Sequence, residues 1–266
     1  MPTTLETLEV HYDTSPRAGA DTVEVGPFTV FLPRPGSPFP YYARPRLGLT
    51  GPVTAAQVAE VIRFQDEAGV PRALEWVTET TPGLLEAARE AGFTVALCPL
   101  LVLDPEVPVR PRTDRGVELL TGTDERLADV LDAVSAGFAG VEREVPGGEG
   151  PAGAPDNPAS RDVSRERRRM ADGLLGVAGA FLDGVAVGGG QHLPRGEATE
   201  LVGIAVVPSA RRRGLGAALA ETLAADARAR GLRTIFLSAQ DEIVARVYRR
   251  VGFQPVGTAA IAAWIG

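Results

Sequence analysis

Residues 206–219 read VVPSARRRGLGAAL: an apolar strand end closed by Pro208, three arginines, two glycines, then an alanine-rich run with helical spacing. A turn of this kind between a strand and a helix aims several backbone N–H groups at one point, because the first amides of a helix find no partner within it. Gly214 and Gly216 leave no Cβ in the way of a close approach, and a helix start carries roughly half a positive charge. The guanidinium groups of Arg211, Arg212 and Arg213 raise the potential further, although three adjacent side chains cannot all face one ligand. The stretch reads as an anion site. Two other readings stay open at this point. One is an arginine run solvated at a helix start. The other is a dinucleotide-binding turn, against which Leu219 stands where G-x-G-x-x-G requires its third glycine.

Upstream, TELVGIAVV reads as a strand running straight into the turn, and GVAGAFLDGVAVGGGQHL as a hairpin about Asp183-Gly184. Before these come a strand near 116–120, a helix from Asp124 to about Gly140 with Leu127, Val130, Leu131 and Val134 on one face, and a charged helix in SRERRRMADGLL. Downstream, helical spacing runs from Gly214 to about Arg230, TIFLSA is a buried strand, 241–251 a short helix and AAIAAWIG a closing strand. Antiparallel strands followed by βαβα units predict an α/β fold with a mixed, mostly antiparallel sheet flanked by helices.

A chain of 266 residues is longer than one ordinary domain needs, at roughly 150 residues each. The proline-rich stretch LDPEVPVRPRTDRGVELL, 103–120, is the expected linker, which gives domains at 1–108 and 114–266. A second such stretch, 145–160, lacks large apolar residues and is expected to be a mobile loop. Weak internal similarity links the halves. AREAGFTV (88–95) aligns with YRRVGFQPV (248–256), RALEWV with RTIFLS, and the helix TAAQVAEVIRFQDEAG with GAALAETLAADARARG. The expectation is a tandem of related modules, the first lacking its early strands. Where the second has its glycine turn the first has GLTGPVTAAQ, whose Pro52 removes a donor, and Ala88 stands in place of Tyr248.

The composition, 44% hydrophobic, suits a soluble core, and no window approaches the run of about 18 apolar residues of a membrane span. The N-terminal stretch has no basic and apolar leader, so a cytoplasmic protein is expected. A lone cysteine, Cys98, sits in the apolar run ALCPLLVL as inert core, and two histidines, His11 and His192, make no metal cluster. A net charge of −7 argues against a nucleic-acid partner, and every one of the 27 basic residues is arginine.

The turn resembles the coenzyme A pyrophosphate turn of the GNAT superfamily of N-acetyltransferases, whose pattern Q/R-x-x-G-x-G/A is carried here by Arg211, Gly214 and Gly216. A second family feature follows at the right distance, since ARVYRRVGF resembles the tyrosine helix A-x-x-x-Y-x-x-x-G-F. Two departures stand out: Asp241, where many members have asparagine, and Val244, where alanine is common. The resemblance covers about 116–266 and implies acetyl-CoA as co-substrate, with no metal. Pantetheine would lie against the backbone of Ile204, Ala205 and Val206 as a false extra strand, and the N–H groups of Arg212, Arg213, Gly214, Leu215, Gly216 and Ala217 would hold the pyrophosphate. Asp241 joins this donor-contacting set.

The acceptor implied is a small-molecule or peptide amine, attacking the thioester directly. Tyr248 faces the coenzyme sulfur in the family, and a phenol with pKa near 10 stays protonated at neutral pH, able to serve the departing thiolate. Glu200 is the base the resemblance favours, acting through water with a carboxyl raised by burial. His192 is the rival base. Each has a plainer alternative: a core tyrosine, a solvated strand-end glutamate, a loop histidine. The other function class left open is a non-catalytic coenzyme A binding or regulatory protein. A homodimer is one assembly open to the chain.

Overall fold

The Asp183-Gly184 pair shows how the local chemistry is expressed. Both residues adopt left-handed backbone, φ 50° and 80°, which a two-residue hairpin turn of matching twist requires. Leu182 and Val185 face each other across it. The computed structural model describes residues 3–35, 41–139 and 161–264. The expected mobile loop at 145–160 lies outside them.

In chain order the N-terminal half comprises α1 (Thr4–Arg17), β1 (Ala20–Val25), β2 (Phe28–Pro33), β3 (Ala43–Pro45), α2 (Ala55–Glu67), β4 (Ala73–Val77), α3 (Leu84–Glu90) and β5 (Thr94–Leu103). The C-terminal half comprises β6 (Val117–Leu119), α4 (Leu127–Phe138), α5 (Ser164–Ala171), β7 (Gly176–Leu182), β8 (Val185–Arg195), β9 (Ala198–Val206), α6 (Leu215–Ala229), β10 (Thr234–Ser238), α7 (Glu242–Arg249) and β11 (Phe253–Ala263). The N-terminal half therefore does have early strands, the hairpin β1–β2, and in the order of elements only β6 and one of the two helices α4 and α5 have no N-terminal counterpart.

The eleven strands of the described residues form one sheet, ordered β1-β2-β3-β4-β11-β5-β10-β9-β8-β7-β6. The pairs β3–β4 and β9–β10 are parallel and the rest antiparallel. The centre of the order carries an exchange. β11, last in the C-terminal half, pairs with β4 of the first, while β5, last in the N-terminal half, pairs with β10 of the second. β5 and β11 then pair with each other over ten positions, Phe253 opposite Leu103 through Ala263 opposite Thr94. Each half thus completes the other's sheet.

Strand alternation sorts the core onto two faces. On one, α6 and α7 cover Leu101, Leu103, Leu201, Ile235 and Leu237, and α2 and α3 cover Leu74, Trp76, Ala260 and Ala262. On the other, α1 packs Leu8 and Tyr12 on Val77, Leu100 and Phe236, and α4 packs Leu127 and Leu131 on Val177 and Phe181. The linker is pinned rather than loose. Arg228 of α6 donates to the carbonyls of Asp104 and Val107, and Arg112 pairs with Glu221 at 2.8 Å while its N–H meets Thr222 Oγ1 at 3.0 Å.

Candidate active site

The site begins where β9 and β10 part. They pair only at Ala198–Thr234, Thr199–Ile235 and Phe236–Glu200, after which β9 continues through Val206 with no strand of the described residues on its β10 side. A bulge opens the edge further. The register of β8 against β9 shifts between Gly189 and Gln191, opposite Gly203, whose φ of 61° places it in the left-handed region that glycine enters freely. Val207 N–H donates to Val187 C=O at 2.9 Å, so by strand alternation the N–H of Val206 points into the wedge. Ile204 and Val206 are half-buried beside it.

From this edge the chain enters the turn. Pro208–Ala210 is one 3-10 turn, Arg212 sits at φ 66°, a left-handed conformation unusual for a side-chain-bearing residue, and Gly214 caps α6 at φ 79°. No side chain among the described residues caps α6. A Cβ built on Gly214 or on Gly216 would meet nothing within 4 Å. The N–H groups of Arg212, Arg213 and Gly214 take no backbone partner among the described residues, and those of Leu215, Gly216 and Ala217 open the helix. This is a cradle with six amides and room over both glycines, which fits a diphosphate. The Leu215 side chain itself goes into the core.

The arginines divide their work. Arg211 donates through Nε to Val206 C=O at 3.0 Å and through Nη2 to Gly137 C=O at 2.7 Å, clasping the end of α4 to the end of β9. Arg212 and Arg213 are exposed. Asp241 has a structural task, since its carboxylate caps α7 by accepting Val244 N–H at 2.8 Å.

Tyr248 on α7 lies on the α6 face of the sheet, edge-on to Phe253 with ring centroids 6.1 Å apart. Burial pushes its phenol up to about 12, and no described residue hydrogen-bonds the hydroxyl. The group stays a proton donor far above neutral pH. Glu200 is on the opposite face, beside Phe236 and under α1, buried to 2% exposure, with Oε1 accepting the hydroxyl of Tyr12 at 3.1 Å. The wedge between β9 and β10 is the gap that joins the two faces.

His192 is not at that gap. It is in mid-strand, opposite Leu201 on the α6 face, wholly buried, with Nδ1 3.0 Å from Thr199 Oγ1 and Nε2 2.7 Å from Asp226 Oδ2. Asp226 is shared with Arg230 at 2.8 Å. Residues one apart on a strand point to opposite faces, and Glu200 lies opposite Leu193, so the sheet separates His192 from Glu200. The geometry makes His192 a polar anchor of α6.

Residues that no motif had marked complete the Glu200 side. Tyr12 from α1, Arg44 from β3, Glu75 from β4 and Ser238 from β10 line a recess with Glu200. The chain brings Tyr12 and Glu200 together across 188 positions, a contact with no local sequence signature.

The first half offers no equal to the cradle. Its corresponding helix, α2, closes its own start with a capping box: Thr54 Oγ1 accepts Gln57 N–H at 3.3 Å and Gln57 Oε1 accepts Thr54 N–H at 2.9 Å. Two of the amides at that helix start, those of Thr54 and Gln57, are thereby taken.

Among the described residues there is no group of three or more His, Cys, Asp or Glu able to hold a metal ion, and no helix long and apolar enough to cross a membrane.

No curated protein matches the chain. Among solved structures, a GCN5-related N-acetyltransferase from Kribbella flavida is 22% identical, with 98% of this chain and 96% of that one covered at a TM-score of 0.68. Another from Sphaerobacter thermophilus is 17% identical, with 96% and 84% covered at 0.56. A putative acetyltransferase of the GNAT family from Novosphingobium aromaticivorans is 18% identical, with 91% and 89% covered at 0.52. Such cover extends the shared fold to both halves. The model of the acetyltransferase (GNAT) family matches residues 148–253, a span that takes in Glu200, the cradle and Tyr248. Residues 148–253 of this chain therefore match the acetyltransferase (GNAT) family model, and the solved structures share its fold across both halves.

Proposed function

We propose that the chain is an acyl-CoA-dependent N-acyltransferase that moves acetyl from acetyl-CoA to a primary amine by direct attack. Family and fold point to acyl transfer. The observation that carries the finer reading is the continuity of an unpaired β9 edge with an uncapped, glycine-bearing helix start. Ile204, Ala205 and Val206 supply the edge for pantetheine amides, and Arg212 to Ala217 supply the amides for the pyrophosphate.

In this reading Glu200 takes the ammonium proton of the acceptor, directly or through water, and the neutral amine attacks the thioester carbonyl. As the C–S bond breaks Tyr248 gives its proton to the departing thiolate, and the second proton, shed by the newly acylated nitrogen, restores the phenol by way of water. Tyr248 can donate because burial keeps the phenol neutral in the working range. The two groups work from opposite faces, with the thioester in the wedge between them. Residues 1–108 form a related module whose corresponding helix start is partly capped by Thr54 and Gln57, and 114–266 form the catalytic one, each completed by the other's last strand.

Calorimetric titration of the full chain with CoA tests the donor assignment. One site per chain is expected, because Thr54 and Gln57 occupy the helix start in the first half. Two equivalent sites, or none, would overturn it.

A further inference from the structure

Four arginines crowd α5, and the fold disposes of them unequally. Arg165 pairs with Glu166 at 2.8 Å, Arg167 donates to the carbonyls of Gly122 and Asp124, and Arg168 is exposed. Arg169 is half-buried with no hydrogen bond or ion pair among the described residues, whereas every other described arginine without one is exposed. A second such group stands beside it. Arg195, at the end of β8, is also half-buried and uses one nitrogen, Nη1, on the carbonyls of Leu174 and Pro194 at 3.3 and 2.6 Å, so that its Nε and Nη2 meet no described acceptor. Leu174 N–H in turn donates to Arg169 C=O at 2.8 Å, which ties both arginines to one turn of backbone. Burial and the charges of Arg195 and Arg165 hold the Arg169 guanidinium below its ordinary value, with Glu166 opposing them. Among the described residues no carboxylate lies within ion-pair reach of Arg169 or Arg195. Like charges held together and partly out of water, without a counterion, mark a place where a ligand supplies the missing anion.

Strand alternation places Arg195 on the face that holds Glu200. Leu193 is opposite Glu200 and Arg195 opposite Ala198, two positions or about 7 Å further along. Ala198 starts β9 and the cradle follows its end, so the two arginines stand on the far side of Glu200 from the pyrophosphate amides. Leu193 packs with Met170 of α5 while its carbonyl meets His11 Nε2 of α1 at 2.8 Å, so both helices border this part of the sheet. Resting on the acyltransferase reading, we infer that Arg169 and Arg195 form the subsite for an anionic group of the acceptor, and that the substrate is a primary amine carrying an oxyanion, a carboxylate or phosphate, a short chain away from its nitrogen. The oxyanion accepts from the open N–H groups of both guanidiniums, a pairing their planar forks favour, and the amine points back along β9 toward Glu200 and the wedge.

The test is steady-state thiol release from acetyl-CoA by the full chain, with butylamine, putrescine, γ-aminobutyrate and aminopropylphosphonate as acceptors. The better of the two anionic amines should exceed butylamine by roughly 10- to 100-fold in kcat/KM, with putrescine below butylamine, and the ranking of carboxylate against phosphonate tells which oxyanion the subsite prefers. Arg169→Gln removes one guanidinium and no intramolecular partner. In that variant the preference should shrink to within about threefold while the KM for acetyl-CoA holds, and the melting temperature should hold or rise, since a like-charge contact is relieved. Arg168→Gln, one position away and exposed, should leave the ranking intact. The wild-type ranking is a test by itself if a variant does not fold. Neutral or cationic amines equal to or better than the anionic ones, or equal effects of the two substitutions, would overturn the inference and leave the acyltransferase reading standing. Bound CoA with no release from any amine would overturn the acyltransferase reading, and this inference with it.

Discussion

Gly214 is where stability and donor binding should part company. Its φ of 79° lies in the left-handed region, and a Cβ there would meet nothing within 4 Å. The penalty for Gly214→Ala in the ligand-free protein is therefore conformational alone, about 1–2 kcal/mol, offset by up to about 1 kcal/mol from a less flexible unfolded chain. A net loss near 1 kcal/mol lowers the melting temperature by roughly 2–4 °C for a chain of this size. Gly214→Glu has the same backbone term, but its carboxylate sits at the start of α6, where the helix dipole returns about 0.3–1 kcal/mol. For CoA the order reverses. The alanine methyl intrudes on the cradle, while the glutamate adds a charge about 5 Å from a phosphate, worth on the order of 1–3 kcal/mol, or roughly 5- to 150-fold in Kd. Ligand-free melts paired with calorimetry should rank stability as wild type, Glu, Ala and affinity as wild type, Ala, Glu. Equal affinity in all three, or affinity falling strictly in step with stability, would refute the cradle.

Tyr248→Phe should lower kcat by roughly 10²- to 10⁴-fold with little change in the KM for acetyl-CoA. The wild-type phenol rises from 10.0 to about 12 on folding, so the unfolded chain ionises first. Stability from this group is lost as pH climbs through that window, and melts of the Phe variant should show a smaller alkaline decline. His192→Ala should cost about 2–4 kcal/mol, by leaving Thr199 and a cavity behind, yet keep the kcat of the folded protein within about threefold, whereas Glu200→Gln should hold stability within about 1 kcal/mol and lower kcat at least about 100-fold. Burial lowers His11 from 6.5 to about 4 while its Nε2 meets Leu193 C=O at 2.8 Å. The unfolded chain then takes the proton first as pH falls, so stability drops between those values by at most about 3 kcal/mol, and melting temperatures of His11→Gln against pH should be flatter.

Much of the C-terminal half was legible because its signals are local. Asp183-Gly184 fixes a hairpin, Pro208 and Gly214 punctuate the turn, and helical spacing follows from Leu215. The strands β1 and β2 also had a signal, two β-branched and aromatic runs about Gly26-Pro27, and their hairpin corrects the expectation of a first half without early strands. The exchange of β5 and β11 was not legible, since both are apolar strands that either half could accept, and partner choice is a property of the whole sheet. His192 beside three glycines looked like a loop residue, but those glycines lie inside β8 and the ring faces Asp226. Arg44 and Tyr12 escaped notice because their meaning depends on α1 crossing onto the sheet of the other half.

Amine-dependent release of the coenzyme thiol from acetyl-CoA, followed with the full chain, tests the central claim most directly. The account predicts release that saturates in both substrates and falls with Glu200→Gln or Tyr248→Phe while CoA still binds. Tight CoA binding with no amine-dependent release across a broad acceptor panel would contradict it and leave a coenzyme A binding protein without catalysis.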